Sequence, residues 1–352
     1  MKQEERKNLK KYWQLAFLSF LIIGTVLIIR HQRTMPYQHD TGMVFGTIYN
    51  VTYQCDRNLK KEIEAELKKV DDALSMFNEN SVISHVNQGQ GDIPKTEQGK
   101  MFSAVMKLAA QVSRDTDGAF DITVGPLVNL WGFGFKNDQE PTQQAIDSIM
   151  AFVGYKNLTF NEKRGTMHVG KKYPRMTLDC SAIAKGYGSD VVASFLKKHD
   201  VENFMVEIGG EVVTKGISPN RVPWHIGVSK PTEDSLAVKT EVQTILNVTD
   251  VAMATSGNYR NFYYKGGKKY AHTIDPKTGH PVQHNILSAT VLAPDCATAD
   301  AYATAFMVLG LDGARKILDS HPQLQAYFIC SDEKGDYTVW FSPALQKLIV
   351  DN

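Results

Sequence analysis

The feature that most constrains this 352-residue chain is an uncharged run near its start. Residues 12–29, YWQLAFLSFLIIGTVLII, contain no Asp, Glu, Lys or Arg. At helical rise such a run spans about 27 Å, against a hydrocarbon core of roughly 30 Å. Tyr12 and Trp13 stand at one edge, where amphipathic rings prefer the headgroup level. Lys2, Arg6, Lys7, Lys10 and Lys11 precede the run, and Arg30 and Arg33 follow it. The positive-inside bias then predicts a cytoplasmic basic tail (1–11), a single-pass signal anchor (12–29), a polar tether (30–42) and an exported domain (43–352). A cleaved signal peptide would have a shorter apolar region closing on small residues, whereas this one closes on Leu27-Ile28-Ile29-Arg30. No Cys lies in or just after the run, which argues against acylation.

Without residues 1–30 the chain has 33 basic against 36 acidic side chains, a net of about −3. Duplex-binding surfaces carry a basic excess, so nucleic acid is excluded as the expected partner. With 43% hydrophobic residues the chain is too apolar for intrinsic disorder and long enough for a sizeable core. Cys55, Cys180, Cys296 and Cys330 form no CxxC or Cys/His cluster, so no zinc site is expected. Export permits a disulfide, but free buried thiols are the expectation.

Residues 44–53 alternate as a strand, and 59–77 and 97–116 carry apolar residues at helical spacing. Residues 118–131 read as loop and short helix, 141–153 as a helix started by Thr142, and 158–169 as a hairpin. A helix over 181–199 and a strand over 204–216 broken at Gly209-Gly210 follow. Further strands are expected at 224–229, 240–248, 252–255 and 288–292, helices at 297–309 and 313–320, and a hairpin from 325–329 and 337–341. Without a regular βαβ beat, the fold class is α+β.

Four groups carry chemistry. Gly209-Gly210 and the glycines of AKGYGSD could let backbone approach a phosphate, although each alone is more often a turn or bulge. The aromatic-glycine run 131–135 is open between flexible loop and core. Asp300 and Thr304 stand at i and i+4 on an Ala-rich helix, a pairing that suits a hard cation such as Mg²⁺. The rival is an Asp that caps and a Thr that bonds its own backbone. In DCSAIAK (179–185) a carboxylate precedes a helix start and Lys185 supplies a point charge for phosphate. His272, before a Pro-Lys-Thr-Gly turn, is a candidate general base.

Eight segments occur together in order: FGTIYNV (45–51), LSMFNENSVISHVN (74–87), GAFDITVGPLVNLWGFG (118–134), LDCSAIAKGYGSD (178–190), VEIGGE (206–211), ATSGNYRNF (254–262), HTIDPKTGHP (272–281) and ATADAYATAFMVLG (297–310). With them the sequence resembles the ApbE family, the FAD:protein FMN transferases. The resemblance implies a T-fold-related arrangement of mixed sheets with packed helices, binding FAD as substrate. It implies transfer of the FMN half to a Thr or Ser hydroxyl of a flavoprotein, with release of AMP. Hydrolysis of FAD to FMN and AMP and a non-catalytic, membrane-tethered FAD-binding module are the alternatives.

By the same resemblance, Mg²⁺ is held by Asp300, Thr304 and the main-chain carbonyl of Ala182. FAD lies against Phe45, Ser75, Met76, Phe77, Asp121, Lys185, Gly209, Gly210, Thr255 and Ser256. His272, Lys185 and Asp300 carry the catalysis. The implied acceptors are subunits of Na⁺-translocating quinone reductase or Rnf-type complexes, on the periplasmic side of a bacterial inner membrane. Two positions depart from the family pattern: Phe45, where Met is usual, and Cys180, where Leu or Phe is usual.

Overall fold

A computed structural model describes residues 2–133, 141–163, 165–231, 242–258, 262–265, 268–332, 334 and 336–350. For 2–10, 27–33, 163, 262–265 and 268–271 the description is of the backbone. Helix α1 (Lys2–Thr34) leads into strands β1 (Tyr37–Val44) and β2 (Thr47–Gln54). Helices α2 (Lys60–Leu74), α3 (Val82–Asn87), α4 (Glu97–Asp115), α5 (Gly125–Leu130) and α6 (Gln143–Met150) follow. Strands β3 (Leu158–Lys163) and β4 (Thr166–Lys171) precede α7 (Ala184–Lys198). Next come β5 (Phe204–Ile208), β6 (Glu211–Lys215), β7 (Trp224–Ser229), β8 (Val242–Val248) and β9 (Ala252–Gly257). The chain closes with β10 (Phe262–Lys265), β11 (Lys268–Ala271), β12 (Ile286–Ala293), α8 (Cys296–Ser320), β13 (Gln325–Ser331) and β14 (Tyr337–Phe341).

Eight strands form one antiparallel sheet in the order β1-β2-β5-β6-β9-β12-β13-β14. Its central strands are covered on both faces, and the two-residue period sorts their side chains. Val213, Ala254, Val291 and Phe328 pack with residues of α2, α4, α7 and α8. Val212, Met253, Leu292 and Ile329 pack under the separate β7–β8 hairpin with Trp224, Ile226 and Leu246. A smaller cluster of Leu127, Trp131, Ile146, Val153 and Ile274 joins α5 and α6 to the turn after His272.

The expected elements differ from the observed ones in several places: the helix expected over 59–77 spans Lys60–Leu74, and residues 240–241 of the strand expected over 240–248 lie outside the described residues. The strand expected over 44–53 is a hairpin that turns at Phe45-Gly46, and residues 37–42 of the expected tether are its first strand. Asp40 draws that strand in: buried, it accepts hydrogen bonds from Tyr53 Oη (2.7 Å) and Asn58 Nδ2 (2.8 Å). The two helices expected at 297–309 and 313–320 are one element, broken where Gly310 takes φ +72°. The helix expected from 181 begins at Ala184, after a turn over 181–183.

Thr142 caps α6 as expected, its hydroxyl accepting from Ala145 N–H. All four cysteines are free thiols, and burial raises the pKa of Cys180 and Cys296. The run 12–29 lies inside α1, where Tyr12, Trp13, Phe17 and Phe20 are exposed. Side chains 27–29 of that run lie outside the described ones, and among the described residues no helix is long and apolar enough to cross a membrane.

Candidate active site

Between α8, the C-terminal end of β9 and the α5 region lies a cavity of about 400 Å³. Lysine, carboxylate and imidazole groups meet there: Lys185, Asp300, Glu211, Asp179 and His272 all line it. Its apolar wall includes Phe120, Ile122, Val128, Phe133 and Ile274. A smaller recess of about 140 Å³, lined by Phe45, Leu74, Ser75, Met76 and Phe77, shares Lys185 with the first. An elongated ligand with two ring systems and a charged middle suits this shape.

The crossing of α7 and α8 builds the polar floor. Gly186 permits close approach, since a Cβ there would lie 2.3 Å from the Cys296 carbonyl oxygen. Each helix contributes a carboxylate to the other. Asp190 of α7 accepts from the N–H groups of Cys296 and Ala297, both at 2.8 Å, at the start of α8. Asp300 of α8 accepts from Gly186 N–H at 3.0 Å, at the start of α7.

That second bond frees a carbonyl. In a continued helix Gly186 N–H would bond Ala182, four residues back; instead it goes to Asp300 Oδ2. Tyr187 and Ala184 bond Ile183 and Cys180, and among the described residues no donor reaches the Ala182 carbonyl. Ala182, Asp300 and Thr304 all line the main cavity.

Lys185 is not a lone cation. Its Nζ lies 2.5 Å from Oε1 of Glu211, which is 1% exposed. Burial pushes Lys185 down, but the charges of Glu211 and Asp300 outweigh it, and its pKa lies above the usual lysine value. Burial and the neighbouring Asp300 raise Glu211 well above the carboxylate range, against the pull of Lys185. Burial likewise raises Asp300, opposed by Lys185 and the Gly186 N–H. Two acidic groups share one ammonium, so this floor lacks the positive charge to keep both ionised, let alone to hold an anionic ligand.

These features fit a divalent cation. The freed Ala182 carbonyl, the second oxygen of Asp300 and the Thr304 hydroxyl are hard oxygen donors of the kind Mg²⁺ takes, with water or phosphate completing the shell. Among the described residues no group of three or more His, Cys, Asp or Glu gathers for a metal, so the set stands on one carboxylate.

Of the other residues expected at the site, Gly209, Thr255 and Ser256 line the main cavity, and Met76 and Phe77 line both cavities. Phe45 holds φ +50° at the hairpin tip, and a Cβ on Gly188 would lie 2.7 Å from its ring. Two expectations change in kind. Asp121 lines the cavity, but its carboxylate accepts from Thr123 N, Thr123 Oγ1 and Tyr155 N, so it braces the loop. Burial raises its pKa against those three donors.

Gly210 is absent from both cavity walls; with Gly209 it forms the positive-φ turn that precedes Glu211. In the aromatic run, Trp131 is core and donates to the Gly279 carbonyl at 2.8 Å, pinning the turn that follows His272. Phe133 lines the cavity and meets the His272 ring edge-on at 6.4 Å; Gly134 and Phe135 lie outside the described residues. Sequence reasoning missed Glu211 and Asp190 as site residues. Their only signal was position, each closing a glycine-bearing segment (VEIGGE and AKGYGSD).

Known proteins resemble this chain over most of its length. The sequence model of the ApbE family matches residues 45–328. An FAD:protein FMN transferase of Vibrio cholerae is 36% identical over 331 residues, covering 92% of this chain and 95% of that one. One of Haemophilus influenzae is 37% identical over 317 residues, covering 88% and 90%. Among solved structures, the flavin transferase ApbE of Vibrio cholerae superimposes with a TM-score of 0.77 at 34% identity, covering 89% of this chain and 100% of that one. The apo flavinyl transferase ApbE of Pseudomonas stutzeri gives 0.76 at 30% identity, covering 89% and 96%.

Proposed function

The chain belongs to the ApbE family and is a flavin transferase, and we propose that its cleft moves the FMN half of FAD onto a Thr or Ser hydroxyl of a target flavoprotein, releasing AMP. The observation that carries this reading is the meeting of His272, Lys185 and the Ala182–Asp300–Thr304 oxygens around one cavity that continues into a second recess. The acceptor oxygen attacks the FMN phosphorus, the bond from that phosphorus to the bridging oxygen breaks, and the bridging oxygen leaves on AMP. His272 takes the hydroxyl proton, a role typically worth about 10²–10⁴ in rate. Lys185 presents its ammonium to the pyrophosphate. Asp300, Thr304 and the Ala182 carbonyl would hold Mg²⁺, which would supply charge neutralisation and Lewis acidity. The apolar walls, with Phe45 and Phe77 on one side and Phe133 on the other, hold the ring systems and exclude water.

We further propose that α1 anchors the protein in a bacterial inner membrane, with the catalytic domain on the extracytoplasmic side. The exposed apolar surface from Tyr12 to Val26 and the basic residues ahead of it support this reading. The acceptors proposed are the flavoprotein subunits of Na⁺-translocating quinone reductase or Rnf-type complexes.

Incubation with FAD, Mg²⁺ and such a subunit tests the chemistry. Flavin fluorescence that stays with the acceptor on a denaturing gel, with equimolar AMP, is the expected result. Free FMN with AMP would identify hydrolysis, and intact bound FAD would identify a carrier; either outcome overturns the transfer reading.

A further inference from the structure

We infer that Glu211 is a positioning residue for the reaction, holding the Lys185 ammonium at the junction of the two cavities where the pyrophosphate lies. The inference rests on the proposed reading of that cleft. The backbone prepares Glu211 for the task. Gly209 and Gly210, at φ +64° and +106°, turn the chain immediately before it, and Ser189 Oγ of α7 donates to its carbonyl at 3.0 Å. The side chain thereby enters the cavity wall from the first residue of β6 and meets Lys185 Nζ at 2.5 Å.

The pair is poorly explained as a stability device. Burying an ion pair costs about as much as its attraction returns, and apolar replacements are often no less stable. Moreover, the pair is incomplete as a structural unit: Glu211 Oε2 is buried without a hydrogen-bond partner. Lys185 gives one of its three N–H donors to Glu211, and among the described residues its Nζ has no other hydrogen bond. Both unmet valences belong to residues that line the main cavity, and Lys185 alone of the two reaches the smaller recess as well. A flexible four-carbon stem would otherwise let the ammonium wander; the carboxylate fixes it, leaving two donors for phosphate oxygens.

Electrostatics and positioning predict opposite outcomes when the negative charge is removed, which makes the inference testable. Glu211→Gln keeps the shape but cannot ionise, and a floor with less acidic character beside an anionic ligand favours FAD binding. If Glu211 positions Lys185, the rate falls even so.

The test reads AMP release from FAD in single turnover at saturating Mg²⁺, together with FAD affinity by fluorescence and the melting temperature. Glu211→Gln is expected to slow AMP release about 10–100-fold, the scale of a misplaced reacting group, with FAD binding equal or tighter. Lys185→Met is expected to be at least as slow, and Lys185→Met/Glu211→Gln no slower than Lys185→Met alone. A wild-type rate in Glu211→Gln, or losses that multiply in the double variant, overturns the inference. Should Glu211→Gln fail to fold, Glu211→Asp carries the same test: it keeps the carboxylate but draws it back by one methylene from the Lys185 ammonium, and a wild-type rate of AMP release in that variant overturns the inference. AMP release is common to transfer and hydrolysis, so a failure to label an acceptor bears on the proposed function and leaves this test intact.

Discussion

Asp190 and Asp300 cap each other's helices: each carboxylate sits at the start of the helix that carries the other. The exchange locks α7 to α8 at the Gly186–Cys296 crossing and, by drawing off the Gly186 N–H, frees the Ala182 carbonyl. A structural contact between two helices thus creates the donor set of the site.

Asp190→Asn leaves one of two backbone N–H groups facing an amide NH₂. Buried and unpaired, that donor is expected to cost about 1–3 kcal/mol in urea unfolding at pH 5.5. Burial raises Asp190 to about 7, against the pull of the Cys296 and Ala297 N–H groups; Asp295 raises it further and Lys197 lowers it. A folded-state pKa above the unfolded value gives stability that is full below about pH 4 and lost as pH rises through 7. The Asn variant lacks this dependence, so the gap between the two proteins is expected to narrow from pH 5 to pH 8. A gap that widens over that window would show that the helix start holds the carboxylate ionised.

Gly186→Ala places a methyl group 2.3 Å from the Cys296 carbonyl oxygen, a backbone atom that moves only with its helix. Overpacking of this kind is expected to cost about 1–3 kcal/mol. Because the shift separates Ala182 from Asp300, Mg²⁺ should raise the melting temperature less than in the wild type. An unchanged Mg²⁺ response with reduced stability would detach the crossing from the donor set.

The architecture was legible where periodicity and punctuation agree. Thr142 opens α6, Gly209-Gly210 separates β5 from β6, and Gly310 breaks α8 where the apolar pattern pauses. The first strand was hidden because YQHDTGMV is largely polar; it is held by Asp40 bonding Tyr53 and Asn58 across the hairpin. At the site, motif order located nearly every lining residue, but not what each side chain does there. Asp121 reads as a ligand contact and braces a loop; Glu211 reads as a strand residue and grips Lys185. The Glu211 role depends on Lys185, 26 residues away, and the Asp121 role in part on Tyr155, 34 residues away, which no local pattern encodes.

Asp300→Ala removes the one carboxylate proposed to hold the cation. Transfer is expected to fall to background, and the rise in melting temperature produced by Mg²⁺ in the wild type, a linkage effect of binding the folded state, to vanish. The thermal readout is independent of turnover. Full transfer by this variant in Mg²⁺ would rule out the donor set.

Deleting residues 1–35 removes α1 and stops short of β1, which is part of the central sheet. The truncated protein is expected to leave the membrane pellet for the supernatant while its AMP release in Mg²⁺ stays within about twofold of the full chain, since no cavity residue lies in that segment. Retention in the pellet would place the membrane contact elsewhere on the molecule.

His272→Ala separates proton transfer from binding. The imidazole lies against Phe133 and lines the cavity beside Thr273 and Ile274, while FAD affinity draws on walls contributed by many other residues. Single-turnover transfer is therefore expected to slow by about 10²–10⁴, with FAD affinity within about threefold of the wild type. A variant that transfers at the wild-type rate would assign the proton to another acceptor.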